Sequence, residues 1–190
     1  MNSKYFIVCL VLILVGLRSG AKEFNYSDIV IDKMVICGSS SISDFILTFI
    51  GDKDKRVANV CSENDSIISF HIPVECISAS NQLLINNFQE FIKAREYPNI
   101  NVAIDKKQIQ DIIKGGENDL LSFNVTISGN SNVYRIPFTL GKFQGNYKYV
   151  TGRVNMRLTD FNLKPSKKIF GLIKVSNEVF INFRINFRPA

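Results

Sequence analysis

The chain has no tryptophan, one histidine, four cysteines and five prolines in 190 residues. Each scarcity closes a route. A single imidazole, His71, leaves no histidine set for the metal sites of hydrolases and oxygenases, and cysteine spacing that would complete a tetrahedral site is missing. The same histidine would have to serve every base role in nucleophilic catalysis, and no Gly-x-Ser-x-Gly elbow presents a serine to it. Phosphate-cradling glycine loops are absent, Gly115-Gly116 reading instead as a hairpin or helix stop. Asp52 with Asp54, and Asp105 with Asp111, lie in lysine-rich stretches and read as solvated surface rather than as acid–base pairs. Four cysteines are too few to build a disulfide miniprotein. With 46% hydrophobic and 21% charged residues, and neither a glycine period nor a heptad, the chain is not disordered, collagen-like or a coiled coil. What is left is one globular domain without a catalytic set or a cofactor motif, hence the expectation that it is not an enzyme.

Residues 1–21 read as a secretory signal. Lys4 gives a thin positive start, Phe6 to Leu17 an apolar run, and Ser19-Gly20-Ala21 a small-residue cleavage site. The run is shorter than the ~20 apolar residues that span a bilayer. Cleavage after Ala21 leaves residues 22–190 as the working domain, in the periplasm or outside the cell. Losing Lys4 and Arg18 lowers the net charge from +6 to +4. Such a domain buries roughly 70% of its unfolded surface, enough for one sizeable core. Cys9 leaves with the signal. Cys37, Cys61 and Cys76 then sit in an oxidising compartment, which predicts one disulfide and one thiol, with Cys61–Cys76 favoured because both flank the same expected hairpin.

Most of the domain has a period of two. Val179, Ile181, Phe183, Ile185 and Phe187 alternate with Phe180, Asn182, Arg184, Asn186 and Arg188, as a strand with one wet face does. Leu121 to Ser128, Tyr134 to Leu140, Arg153 to Leu158 and Ile68 to Cys76 repeat the pattern. Further strands are expected at Ile29–Cys37, Ile42–Ile50, Arg56–Val60 and Asn99–Asp105. Ser128-Gly129-Asn130-Ser131-Asn132 separates two strands by turn residues, so sequence neighbours are antiparallel neighbours in a meander. Pro73 and Pro137 belong where the ladder needs no N–H.

One helix interrupts the strands. Between Asn81 and Ala94, Leu84, Phe88, Phe91 and Ile92 fall on one face, and Ser80 or Asn81 caps the start. Ile109, Ile112 and Ile113 before Gly115-Gly116 allow one further short helical turn. Eight or so strands with one side helix describe a closed barrel better than an open sheet, since closure removes aggregation-prone edges. The fold class is all-β.

Three stretches carry a resemblance: Val35 to Phe45 (VICGSSSISDF), Ile72-Pro73-Val74 with Phe88 to Ile100 (FQEFIKAREYPNI), and Gly152 to Val175 (GRVNMRLTDFNLKPSKKIFGLIKV). In order and spacing they resemble the YceI-like family of secreted, lipocalin-like, polyisoprenoid-binding proteins, in its Bacteroidetes-type branch. The third stretch, with its Thr159-Asp160-Phe161 step and Lys-Pro loop, is the most specific. The turn from Ser128 to Asn132 departs from better-known members, which carry a His-Gly-Val-Thr-Lys type of loop. The resemblance implies an extended antiparallel lipocalin-like β-barrel, a helix closing one end, and an apolar interior for an isoprenoid or quinone-type lipid.

On that frame the expected ligand-binding residues are Phe70, Ile72, Phe123, Val125, Ile136, Phe138, Val154, Met156, Ile181 and Phe183 inside the barrel, with Leu84, Phe88 and Phe91 on the helix. Lys164, Lys167 and Lys168 in the Lys-Pro loop are expected to meet a phosphate or quinone headgroup. They belong to a basic stretch, Lys142 to Lys174, that suits an anionic membrane surface. Nucleic acid is set aside, because too few aromatics interleave the basic positions and the chain is secreted. The competing expectation is a solid interior, filled by Phe70, Phe123, Phe138 and Phe183, in a protein that acts as an interaction module.

Overall fold

The computed structural model describes residues 29–51, 59–60, 66–116, 119–142, 148–165, 167–168 and 173–187. The expected leader, Cys61 and most of the expected strand Arg56–Val60 lie outside these residues. Eleven strands are described: β1 (Val30–Ser40), β2 (Asp44–Ile50), β3 (Asn59–Val60), β4 (Ile67–Pro73), β5 (Ile77–Ala79), β6 (Asn99–Asp105), β7 (Leu120–Ile127), β8 (Asn130–Lys142), β9 (Lys148–Arg157), β10 (Lys167–Lys168) and β11 (Ile173–Phe187). Two α-helices accompany them, α1 (Gln82–Phe91) and α2 (Lys106–Lys114).

Every pairing is antiparallel, in the order β3-β4-β6-β7-β8-β9-β11-β1-β2-β5, with β10 appended to β11. The first full strand of this path, β4, runs into its last, β5, through a single 3₁₀ turn at Val74–Cys76. The chain itself therefore bridges the seam, and the sheet is a nearly closed barrel. Period-two sequences curl this way because each strand has one face to hide, and a closed sheet hides all of them at once. Rungs such as Leu121↔Ile136, Val154↔Ile181 and Met156↔Val179 put apolar residues opposite one another on the inner face.

The departures from expectation have local causes. The strand expected to run from Ile68 to Cys76 stops at Pro73 and is followed by the 3₁₀ turn. In β1, a bulge between Ile31 and Lys33 shifts the alternation, so that Ile31, Met34 and Ile36 share the inner face while Lys33 stays outside. The β7–β8 turn is only two residues long, Ser128 (φ 51°) and Gly129 (φ 75°), both left-handed as the tightest hairpins require, and Asn130 already belongs to β8. Pro137 sits where β8 changes partners: Leu120↔Pro137 ends the ladder to β7, and Phe138↔Gly152 begins the ladder to β9. No rung there needs its missing N–H.

The short helical turn is a full nine-residue helix. Asp105 caps its start, its Oδ1 accepting from Lys107 N at 2.7 Å, and Gly115 ends it in the left-handed region at φ 81°. The two helices lie at opposite ends. α1 follows β5 and precedes the start of β6, on the side of the β1–β2 and β7–β8 turns; α2 joins the far ends of β6 and β7.

Candidate functional site

The interior of the barrel is not uniformly filled. A cavity of about 930 Å³ opens at the α1 end. Its wall is apolar: Met34 and Ile36 from β1, Leu47 from β2, Ile72 from β4, Val125 from β7, Val154 and Met156 from β9, Ile181 from β11. Phe123 and Phe183 meet edge to face across it, ring centroids 5.9 Å apart at 79°. Polar lining residues gather at the mouth, among them Ser40, Ser43 and Asp44 of the β1–β2 turn, Ser78 and Ser80 beside β5, Asn81 and Asn87 of α1, and Arg157. Below the cavity the core is solid. Ile29, Ile68, Ile109, Ile112 and Val150 are buried in the same apolar cluster without reaching the cavity wall.

The lid is α1. Asn81 Oδ1 accepts from Leu84 N at 2.8 Å, fixing the helix start. Leu84, Phe88 and Phe91 face the cavity, yet no residue of the helix is fully buried. Its C-terminal end rests on the β7–β8 turn, where Ser128 Oγ donates to Ile92 O at 2.7 Å. Around the mouth, large apolar side chains face solvent: Ile42 is 69% exposed, Ile46 55% and Leu83 65%. Ile46 and Leu83 also line the cavity, so its apolar wall continues onto the outer rim.

Opposite α1, the rim is built by the Thr159-Asp160-Phe161 step, a 3₁₀ turn at Leu158–Phe161. Asn177 clamps it, Oδ1 accepting from Thr159 N at 3.1 Å and Nδ2 donating to Thr159 Oγ1 at 3.0 Å. Asp160 Oδ2 accepts from Tyr134 OH at 3.0 Å. Burial, then this hydrogen bond and the carboxylate charge, push the Tyr134 phenol well above its ordinary value. The clamp turns Phe161 and Leu163 inward, where both line the cavity.

Of the expected ligand-binding residues, Ile72, Leu84, Phe88, Phe91, Phe123, Val125, Val154, Met156, Ile181 and Phe183 meet at this one cavity. Three do not. Phe70 is fully buried in the packed core, and only Ile72, two residues nearer the α1 end of the same strand, reaches the wall. Ile136 is buried against Gly152, whose lack of a side chain leaves room for it and for Phe183. Phe138 stands where β8 changes partners and lines a shallower, separate depression with Lys33, Arg153 and Arg184.

Lys164 is exposed and follows the cavity-lining Leu163. Lys167 and Lys168 form β10, whose backbone pairs with Lys174 and Ile173, next to the cavity-lining Val175. Cys37 and Cys76 are half-buried free thiols, and Cys61, the expected partner of Cys76, lies outside the described residues. His71 Nδ1 is 2.6 Å from Asn101 Oδ1. Among the described residues no group of His, Cys, Asp or Glu is arranged to hold a metal ion.

Met34, Ile36 and Leu47 lie in strands that were legible, but without an assigned face; the bulge after Ile31 hides the alternation of β1. Phe161 and Leu163 had no periodic signal, only their place in the Thr-Asp-Phe stretch.

The family model for the YceI-like domain matches residues 34–187. The chain belongs to the YceI-like family. Solved structures similar to this YceI-like barrel include a polyisoprenoid binding domain from Saccharophagus degradans implicated in plant cell wall breakdown, with a TM-score of 0.64 at 10% identity over 86% of this chain and 99% of that one. BcnA from Burkholderia cenocepacia gives 0.52 at 13% identity, covering 86% and 99%. The YCEI protein of Campylobacter jejuni gives 0.50 at 16% identity, covering 93% and 92%. At these identities the structural likeness establishes the fold. No curated protein matches the chain in sequence.

Proposed function

We propose that this YceI-like protein is a non-enzymatic carrier, secreted or periplasmic, that holds the apolar tail of an isoprenoid or quinone-type lipid inside its barrel. The observation that carries the reading is the cavity of about 930 Å³, apolar along its wall and polar only at its mouth. A hollow of that kind suits a long hydrocarbon whose polar end stays outside. Removing apolar surface from water contributes roughly 25 cal/mol per Å², so a tail of several isoprene units binds without a polar anchor inside. The similar domain from Saccharophagus degradans is described as polyisoprenoid binding, which supports the same ligand class. The alternative of a solid barrel serving as an interaction module is disfavoured by the hollow itself.

Two finer features belong to this reading. In this reading Lys164, Lys167 and Lys168 of the Lys-Pro loop meet a phosphate or quinone head. Ile42, Ile46 and Leu83, exposed around the mouth, touch a membrane surface during transfer, so that the tail passes from bilayer to cavity with little contact with water.

The test uses Phe88→Arg in the lid and Phe123→Arg in the wall, with Lys167→Ala for comparison, and measures binding of tritium-labelled polyprenol to the purified chain. Phe88 is half-buried on the lid and is not one of the fully buried core residues, so its replacement spares the strands of the barrel. Both arginine variants are expected to bind at least about tenfold more weakly, the equivalent of about 1.4 kcal/mol. A folded Phe88→Arg protein that binds as well as the parent removes the cavity as the site.

A further inference from the structure

The two ends of the barrel are closed in different ways. At the mouth, α1 has no fully buried residue. At the other end α2 is built into the wall. Strands β6 and β7 pair only from Asn101 to Ala103 against Thr126 to Asn124. Beyond these three rungs they separate, and α2 fills the gap between them. The Gln108 side chain takes the place of the missing rung: its Nε2 donates to Ser122 O at 2.7 Å and its Oε1 accepts from Ser122 N at 2.6 Å, as a neighbouring strand's backbone would. Two further bonds hold the helix, Lys106 N to Ser66 O at 2.7 Å and Lys148 Nζ to Ile113 O at 2.7 Å. Ile109 and Ile112, 3% and 2% exposed, point from this helix into the apolar core.

The cavity stops short of α2, on a floor of strand side chains that the helix backs. Its deepest wall residues are Ile104, directly before the helix cap, Leu121, beside the clamped Ser122, and the paired Ile31 and Ile185. Ile109 and Ile112 belong to the same buried cluster and do not reach the cavity wall. Along β11 the lining runs from Val175 to Ile185. At about 3.4 Å per residue that is a strand path of about 34 Å. A tail entering at α1 therefore follows one wall to a fixed floor.

We propose that α2 holds in place the floor that sets the longest lipid tail the barrel accepts, with Ile109 and Ile112 packed behind that floor and Gln108 as the residue that positions the helix. The inference rests on the carrier reading and adds a length limit to it. A tail longer than the hollow leaves its first isoprene units outside the mouth, in water, so added length stops adding affinity once the tip meets the floor. In a barrel open at both ends, affinity would continue to rise with length or the tail would thread through.

The experiment measures binding of tritium-labelled all-trans polyprenols of graded length to the full chain. For the parent, affinity rises with each isoprene and then levels at a limit. The double variant Ile109→Ala/Ile112→Ala removes six carbons from behind the floor, lets the floor settle into that space, and moves the limit to longer chains by about one isoprene unit, which has five. Ile185→Phe adds bulk on the floor, inside existing empty space, and moves the limit to shorter chains. Circular dichroism identifies which variants fold, and Ile185→Phe decides the question by itself if the double variant does not. A limit that stays put in folded Ile185→Phe, or no limit in the parent, overturns the stop while leaving the carrier reading in place. A parent that binds no polyprenol of any length overturns the carrier reading and the stop together.

Discussion

Single side chains at the rim decide how the mouth is framed, and Tyr134 is the one whose chemistry is easiest to follow. Its hydroxyl donates to Asp160, and its ring lies 6.2 Å from those of both Phe123 and Phe161, so one residue ties the Thr-Asp-Phe turn to the cavity wall. Ionising the phenol would place a second negative charge beside the carboxylate and inside a partly apolar site, which is why its proton is held more tightly than in the unfolded chain. A folded pKa above the unfolded value of 10.0 adds stability that is fully present below pH 10 and is lost as the pH rises past it. Urea midpoints measured on either side of pH 10 are therefore expected to fall more steeply for the parent than for Tyr134→Phe. At neutral pH the same substitution costs about 0.5–1.5 kcal/mol, towards the lower end because Asp160 remains solvated. Equal alkaline losses in the two proteins would show that the contact does not discriminate between the phenol and its anion. The residue scale also explains what sequence could not separate: Phe70, Phe123, Phe138 and Phe183 all occupy alternating positions, yet two form the wall, one is packed solid and one stands at a strand switch. Alternation reports which face is inside, not whether the inside is full.

Among the elements, the strands were legible and the second helix only half so. β6 has the bounds expected of it, Asn99 to Asp105, and α1 starts at Asn81, one of the two expected caps. For α2, the three isoleucines gave the helical face, but its real role depends on Gln108 reaching Ser122, a contact across fourteen residues that no local pattern reveals. The helices also differ in how firmly they are held, and that difference is measurable. α1 depends on its cap and on half-buried side chains, whereas α2 carries buried isoleucines and bonds to β7 and β9. Amides of α1 are expected to exchange with deuterium faster than those of α2. Asn81→Ala, by removing the bond to Leu84 N, lowers the stability of α1 by about 1 kcal/mol and speeds exchange across that helix alone. Identical protection in the two helices, or a cap substitution that loosens α2 as much as α1, would mean that the ends of the barrel open together and that α1 is not a separate lid.

Taken as a whole molecule, the barrel combines a packed core at the α2 end with a hollow of about 930 Å³ at the α1 end. Native interiors are packed as densely as organic crystals, and unfilled volume forfeits dispersion contacts that a ligand restores. The closure that creates this space was readable, because period-two strands and short turns leave few other ways to hide so many apolar faces. Its volume was not, because it depends on where α2 stops and how Gly152 and the β1 bulge set the curvature of the wall. If lipid fills the cavity, the filled protein must be the more stable one. Binding to the folded state alone stabilises it by RT ln(1 + [L]/Kd), about 2.7 kcal/mol at a hundredfold excess over Kd. For a chain of this length each 1 kcal/mol moves the melting temperature by about 2–4 °C, which makes the expected rise about 5–10 °C. Protein stripped of lipid in organic solvent and refolded should melt lower by that amount, and adding back a polyprenol that fits should restore the difference in proportion to the logarithm of its concentration. A short alcohol of matching headgroup should not restore it, since the gain comes from the tail against Phe123, Met156, Ile181 and Phe183. Stripped and native material with one melting temperature, unmoved by added polyprenol, would mean that the hollow is tolerated empty, and the function would then have to be sought on the outer surface.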